Sequence, residues 1–452
     1  MKQQIHFIGI GGTGMGPLAK VFLEMGWQVS GSDLQPSETT RYLESLGAKI
    51  TFYHSADNIN GSTSVVYSSA IPENNPERLA AKERNIQIYH RSEMLAKLLN
   101  ERRGIAVGGA HGKTTITSMI AWILDQSGVD PVVLIGARFA PFGPGAKYGK
   151  GTIAVAEADE SDGSFTRYYP EVAIVTSMEA DHLENYNGAF NELVCGYKQF
   201  LNNVKPNGIR ILGIDDPEVR KIINLFSNVQ SYGFSKDAYW CGEIVSFKEL
   251  TSEFNVYRQG KFYGKFVLNV PGRYNTNNAL AAIAACDWAG LSPEQIAKHL
   301  KTFTGAQRRF QIIGEKNGII IVDDYAHHPT EIAATLQAAR EGWNRRVIAV
   351  FQPHRFSRTH FLLDEFSKAF KDADLVVLTD IYAPPPEQPI PGVSSAVLAE
   401  MIRQQGKAVY LISNRQDIAR HLAQIVKPND LVITMGAGPI WQTALELNDL
   451  LH

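Results

Sequence analysis

The strongest constraint on this chain is a rhythm that repeats from end to end. A short run of β-branched or aromatic residues is followed by Gly, Asp, His or Ser, and then by a segment with helical periodicity. The runs are Ile5 to Ile10, Val65 to Tyr67, Ile105 to Val107, Ile153 to Ala156, Val172 to Val175, Ile319 to Val322, Val347 to Phe351, Leu375 to Leu378, Val409 to Ile412 and Leu431 to Thr434. Strands that alternate with helices form parallel sheets covered on both faces, so the fold class expected is α/β. Ligands of such sheets bind beyond the carboxyl ends of the strands. Those positions hold GGTG, SSAIP, GGAHGKTT, EADESD, EADH, DDYAHHP, QPHR, TDIY and MGAG, and the chemistry is expected there.

A chain of 452 residues has room for about three domains of roughly 100 to 200 residues each. Boundaries are expected near Arg91 to Arg103 and Thr304 to Gln311, which gives segments 1–95, 96–307 and 308–452. Lys and Arg total 44 against 46 Asp and Glu, for a net charge of −2. No overall basic field exists to hold nucleic acid or anionic lipid, so anionic ligands need local sites. The apolar N-terminal run meets glycines too soon for a signal-peptide core, and no stretch approaches the roughly 18 apolar residues of a membrane helix. A cytoplasmic protein, monomer or homodimer, is expected. Cys195, Cys241 and Cys286 lack CxxC spacing and read as reduced thiols in packed segments.

Gly109-Ala110-His111-Gly112-Lys113-Thr114-Thr115 follows the run Ile105 to Val107 and opens the helix-like Ile116 to Leu124. Glycines let backbone N–H groups turn toward phosphate oxygens, the helix N-terminus adds partial positive charge, Lys113 reaches the β and γ phosphates, and Thr114 can ligate Mg²⁺. The spacing is shorter than GxxxxGK, because Val107 stands where that pattern needs Gly. Glu157, at the end of the next run, and His182 of EADH are candidates to complete the metal shell. A histidine at a strand end is also often a hydrogen-bonded surface residue.

Gly9-Ile10-Gly11-Gly12-Thr13-Gly14 is a GxGxxG between a strand and the helix-like Pro17 to Met25, with Asp33 about 20 residues further on. A dinucleotide fits this pattern, and so does a UDP-linked ligand, since both lay a pyrophosphate on a helix N-terminus. Ser68 and Ser69 of SSAIP offer further donors to the same phosphates.

Asp323-Asp324-Tyr325-Ala326-His327-His328 and Gln352-Pro353-His354-Arg355-Phe356-Ser357-Arg358 each follow an apolar strand. Two arginines close together suit a carboxylate gripped bidentately and a phosphorylated intermediate. The adjacent histidines point in different directions and lack a third ligand at familiar spacing, which argues against zinc. Arg308-Arg309-Phe310-Gln311 reads either as a solvated hinge or as a source of cations for ATP phosphates.

Taken together, HFIGIGGTGMG, SGSD, SSAIP, GAHGKTTITSMIA, EADESDGSF, MEADHLENY, NTNNALAAIAA, GAQRRFQ, DDYAHHPTEI, FQPHRFSRT, PIPGVSS and VITMGAG resemble the Mur ligase family of cell-wall synthesis across nearly the whole chain. The resemblance implies three domains. An N-terminal Rossmann-like domain would hold a UDP sugar, a central P-loop ATPase domain with a parallel sheet would hold ATP, and a C-terminal Rossmann-like domain would swing in with an amino acid. It implies ligation of L-alanine to the lactyl carboxylate of UDP-N-acetylmuramate through an acyl phosphate, with ATP and Mg²⁺ as cofactors. Lys113 would hold the β and γ phosphates, Thr114, Glu157 and His182 would bind Mg²⁺, and Asn278 would touch adenine. Arg309 and Asp324 would join the nucleotide site, and His327, Tyr325, His354, Arg355 and Arg358 would line the reacting carboxylate and amine. His327 or Asp324 is the candidate to take the amine's proton. The sequence departs from the family pattern at Ala110 for Thr, Tyr274 for His and Pro439 for Asp.

Three rival readings remain at this stage. A sister ligase could attach a whole murein peptide to the same UDP sugar. An NAD-dependent oxidoreductase could be built on the N-terminal GxGxxG, which would leave GAHGKTT without a purpose. A non-catalytic nucleotide-sugar sensor could have kept the fold.

Overall fold

The computed structural model describes residues 3–451 apart from 13, 182, 385 and 386; Thr13 and His182 therefore lie outside the described residues. Among the described residues, three sheets form in chain order. The first contains β1 (Gln4–Ile8), β2 (Gln28–Ser32), β3 (Lys49–Thr51), β4 (Ser64–Tyr67) and β5 (Gln87–His90), in the order β3-β2-β1-β4-β5, and all its pairings are parallel. The chain reverses direction across the sheet between β1 and β4. Both strands end at this switch point, where an open parallel sheet leaves a crevice for ligands.

The second sheet contains β6 (Arg103–Gly108), β7 (Val132–Leu134), β8 (Ala146–Lys147), β9 (Ile153–Glu157), β10 (Val172–Val175), β11 (Ile209–Gly213), β12 (Val229–Gly233), β13 (Trp240–Lys248), β14 (Thr251–Arg258) and β15 (Lys261–Leu268). Its order is β15-β14-β13-β12-β11-β10-β6-β9-β7-β8. β6 lies between β10 and β9, and Ile105, Ala106 and Val107 are fully buried, as expected of a parallel strand covered on both faces. The third sheet contains β16 (Gln311–Lys316), β17 (Ile319–Asp324), β18 (Arg346–Phe351), β19 (Leu375–Leu378), β20 (Ala408–Leu411) and β21 (Asp430–Met435), in the order β16-β17-β21-β18-β19-β20; β16 alone runs antiparallel to its neighbour.

The chain divides into two compact units: Met1–Glu243 with Asn255–Lys265 and Asn277–Leu300, and Ile244–Phe254 with Phe266–Thr276 and Lys301–His452. The stretch Arg91 to Arg103, expected as a boundary, is the helix Arg91–Asn100 followed two residues later by β6. A capping box explains the helix start, with Glu93 accepting the His90 N–H. One apolar cluster in the first unit runs from Ile5 and Phe7 through Leu98 and Leu99 to Phe165 and Phe200. Lys20 is buried beside it and donates to the carbonyls of Phe142 (3.2 Å) and Ala146 (2.5 Å), with Glu24 at 3.0 Å.

A second buried charge sits under the first sheet. Glu77, on the helix Pro76–Glu83, is fully buried and accepts from Ser32 Oγ (2.6 Å), Asn58 Nδ2 (2.6 Å) and the Ser55 N–H (3.3 Å), with His6 and His54 ring nitrogens at 3.5 and 3.4 Å. Burial alone would raise its carboxyl. Hydrogen bonds from His6, Ser32 and Asn58 outweigh it and hold the group down, from the usual 4.5 to about 2.

The cysteine expectation is corrected in part. Cys286 is buried on a helix whose residues Ala279 to Cys286 are all fully covered, but Cys195 is exposed. Cys195 lies on the amphipathic helix Phe190–Asn202, whose apolar face is Leu193, Tyr197, Phe200 and Leu201. No helix among the described residues is long and apolar enough to cross a membrane.

Candidate active site

The phosphate loop connects β6 to the helix Lys113–Gln126. Its course depends on two glycines. Gly109 has φ +119, and a Cβ there would lie 2.1 Å from Thr176 Oγ1 and 2.7 Å from Thr176 N. Gly112 has φ +84, and its Cβ would lie 2.5 Å from Asn278 Oδ1. The loop is anchored on the residues that follow β10: the Ala110 N–H donates to Ser177 O (2.9 Å), the His111 N–H to Ser177 Oγ (3.3 Å) and Thr176 Oγ1 to His111 O (2.5 Å). Ala110 thus lacks the hydroxyl of the usual threonine but keeps its backbone bond. Gly112 caps the helix without a side chain, so the first-turn N–H groups and the positive end of the helix dipole could meet an anion. Alanine at Gly109 is expected to cost about 1–3 kcal/mol of loop strain and to abolish ADP binding in isothermal titration; wild-type affinity in that variant would show that the loop relaxes around the extra methyl.

Lys113 Nζ donates to Gly109 O (2.7 Å) and to both carboxylate oxygens of Glu160 (2.7 and 2.8 Å). Burial works against the charged ammonium, but Glu160, Asp159 and Glu157 around it raise its affinity for the proton, so it is cationic. Glu157, at the end of β9, accepts the Gly136 N–H (2.7 Å) and bonds the Thr114 hydroxyl. Thr114 and Glu157 are therefore brought together as a hydroxyl and a carboxylate. Burial raises the Glu157 carboxyl, and an oxygen-only donor pair of this kind fits Mg²⁺, which would relieve the buried charge. His111 Nε2 lies 3.1 Å from Glu179 of the EADH segment.

The glycine loop after β1 sits at the switch point with Ser68 and Ser69 after β4. Asp33 does not stand free for a ribose: its Oδ2 accepts the Gly11 N–H (2.8 Å) and its Oδ1 the Leu34 N–H (2.7 Å). Gly9, Ile10 and Gly12 direct their N–H groups to backbone carbonyls, so the loop is braced from within. Ser69 Oγ bonds His90 Nε2 (3.0 Å). Gly14 caps the helix Met15–Glu24, and a Cβ there would meet the Arg91 guanidinium at 2.7 Å. Arg91, which the sequence reading passed over, also reaches Asp162 of EADESD at 3.9 Å. It stands where an anion on this loop would need a cation.

In the second unit, Asp324 closes β17 and both its oxygens are engaged, Oδ2 by the Phe310 N–H and Oδ1 by the Ala326 N–H (2.7 Å each). Burial pushes its carboxyl up to about 6, against the pull of Arg309. Arg308 is not a solvated hinge residue. At φ +60 it turns its guanidinium inward, to Asp323 (2.9 Å) and Gly436 O (2.6 Å). Arg308 and Arg309 lie over the Tyr325 ring at 4.9 and 5.4 Å. Tyr325 meets the His327 ring at 5.4 Å, His327 meets His354 at 6.2 Å, and Arg358 Nη1 donates to His354 Nδ1 at 3.3 Å. Arg355, at φ +72, ties its N–H to Tyr382 O (2.9 Å).

Burial and the nearby Arg358 hold both His327 and His354 down at about 4, so both rings are neutral at pH 7. The His327 Nδ1 faces Tyr325 O at 3.0 Å; a carbonyl only accepts, so Nδ1 carries the proton and Nε2 presents a lone pair. Of the departures from the family pattern, Tyr274 packs on the second unit's core and Pro439 precedes the helix Trp441–Leu450.

A phosphate loop with a cationic lysine and a hydroxyl–carboxylate pair, in a chain that also holds a glycine-rich anion loop and an arginine–histidine cluster, defines a nucleotide-dependent group-transfer enzyme. Three family models match consecutive segments: the Mur ligase family catalytic domain over residues 4–103, the Mur ligase middle domain over 107–286 and the Mur ligase glutamate ligase domain over 308–438. The chain belongs to the Mur ligase family. It is similar over its full length, at 48% identity, to UDP-N-acetylmuramate–L-alanine ligase of Symbiobacterium thermophilum, 95% of which is covered. The solved UDP-N-acetylmuramate-alanine ligase of Thermotoga maritima is similar with TM-score 0.82 and 30% identity, covering 99% of this chain and 98% of that one. A murein peptide ligase of Psychrobacter arcticus shares the fold with TM-score 0.68 at 24% identity, covering 99% of this chain and 98% of that one.

Proposed function

We propose that this chain joins L-alanine to the lactyl carboxylate of UDP-N-acetylmuramate at the expense of ATP. The observation that carries the reading is full-length similarity at 48% identity to a ligase of that name, in a chain that keeps the lysine, hydroxyl and carboxylate of an ATP site. The carboxylate oxygen attacks the γ phosphorus, the bond from it to the bridging oxygen breaks, and ADP leaves as the acyl phosphate forms; Lys113 and the first-turn N–H groups meet the negative charge spread over the transferring phosphoryl group. Mg²⁺ bound by Thr114, Glu157 and His182 would supply further charge neutralisation at the β and γ phosphates. Asn278, against Gly112, and Arg309 are assigned to the nucleotide. Gly11, Gly12, Thr13, Gly14, Asp33, Ser68 and Ser69 are assigned to the UDP sugar, with Asp33 acting through the loop it braces.

The amine then attacks the acyl phosphate, the C–N bond forms, and phosphate leaves. Arg355 and Arg358 are assigned to the amino acid's carboxylate and the developing oxyanion, and Tyr325 and His354 to the lining of the same site. Between the two candidates for the amine's proton, geometry favours His327, whose Nε2 lone pair is uncommitted to Tyr325, over Asp324, whose oxygens both hold backbone N–H groups. A ring held at about 4 orients the amine as a hydrogen-bond acceptor better than it stores a proton. The murein-peptide alternative has solved ligases at 24% and 25% identity behind it, against 48% for the alanine ligase, and the oxidoreductase alternative is weakened by an Asp33 turned onto Gly11.

Release of ADP and phosphate is measured with one component omitted at a time. It is expected to require UDP-N-acetylmuramate and L-alanine together. Release supported by another amine alone, or by none, would remove the substrate assignment.

A further inference from the structure

All three donors of the Lys113 ammonium are committed, one to Gly109 O at 2.7 Å and two to the Glu160 carboxylate at 2.7 and 2.8 Å. An ammonium has three donors and no more. A phosphate oxygen therefore reaches Nζ only by displacing one of these acceptors. The Gly109 carbonyl is part of the loop itself and is fixed by the left-handed turn there, so the acceptor that gives way is the carboxylate.

Glu160 is built to give way at its side chain alone. Its carbonyl accepts the Gly163 N–H at 3.0 Å and the Tyr186 hydroxyl, which pins the backbone. Once a β phosphate has taken Lys113, the displaced carboxylate is left close to a polyanion in a buried setting, where like charges repel strongly. Loss of the ion pair and this repulsion both act against the bound nucleotide.

We infer that Glu160 is a positioning residue that holds Lys113 in place in the phosphate loop and competes with the β phosphate for it, so that it weakens the hold on ADP. The inference rests on the nucleotide reading above. A plain structural counter-ion would behave differently, since its loss would loosen Lys113 and weaken binding.

The test is isothermal titration of the full chain with ADP and Mg²⁺, and with AMP, which lacks the phosphate that Lys113 would meet. Glu160→Gln is expected to bind ADP more tightly by a factor on the order of ten, the lower end of what a charge-assisted hydrogen bond contributes, and to leave AMP unchanged. Glu160→Asp keeps the charge that steadies the fold but draws it back from Nζ, and a gain of roughly two- to threefold is expected there. ADP binding equal to or weaker than wild type in either folded variant overturns the inference, as does an equal gain for AMP. Wild-type protein that binds no ADP would overturn the nucleotide reading and the inference with it, which a failure confined to the variants would not do.

Discussion

Alanine in place of Lys113 is expected to lower the rate of ADP release in the complete reaction by a factor on the order of 10² to 10³, and to destabilise the nucleotide-free protein by about 3–5 kcal/mol. The first effect follows from chemistry: phosphoryl transfer is catalysed by position and charge, and Lys113 is the only Lys or Arg of the loop from Gly109 to Thr115. The second follows from what Lys113 leaves behind. Glu160 has a side chain only 6% exposed, and without the ammonium it is a buried carboxylate with no counter-charge. The two effects separate in Lys113→Ala/Glu160→Gln, which removes both charges. Most of the lost stability should return in urea denaturation, within about 1 kcal/mol, while turnover stays lost. Recovery of turnover in the double variant, or no recovery of stability, would show that the pair does not work in this way.

Glu77→Gln is expected to flatten the acid limb of the stability curve. The folded carboxyl is held at about 2 against its usual 4.5, so the contribution is complete above about pH 4.5 and is lost as the pH falls toward about 2. Its size is about 3 kcal/mol, on a group that is fully buried. At neutral pH the variant is therefore weaker than wild type by roughly that amount, and the gap closes as the medium is acidified toward pH 2. Urea midpoints at a series of pH values decide it. Parallel decline of the two proteins over that window would place the acid lability elsewhere.

The parts of this protein that were legible in its sequence share one physical trait. Central strands such as β6, β10, β17 and β19 are covered on both faces and read as unbroken apolar runs, and the phosphate loop has a spacing dictated by backbone geometry. Some strands that escaped are short or half-exposed, such as β3, which is Lys-Ile-Thr, β8 with two residues, and β13 to β15; others, β2, β11 and β12, lie inside their sheets but have their apolar runs broken by Gln, Ser, Gly or Arg.

At the site, EADESD offers four acids in six positions, and spacing does not tell that Glu160 takes the lysine while Glu157 takes Thr114. Arg91 was hidden because its partner, Gly14, is far away in the chain and joined to it only by the fold. Arg308 and Arg309 look alike as a doublet. Both guanidiniums lie over Tyr325, but Arg308, at positive φ, is tied to Asp323 and the Gly436 carbonyl, and a doublet carries no signal for that.

Lys20 sets a limit on how this chain can be taken apart or recombined. Its ammonium, raised on the first helix, ends in the carbonyls of Phe142 and Ala146, and the apolar core beside it runs unbroken from β1 to Phe200. A chimera cut between the first and second sheets would tear an interior and strand a buried cation, so the N-terminal segment is heritable as a module only together with the 136–148 loop that receives it.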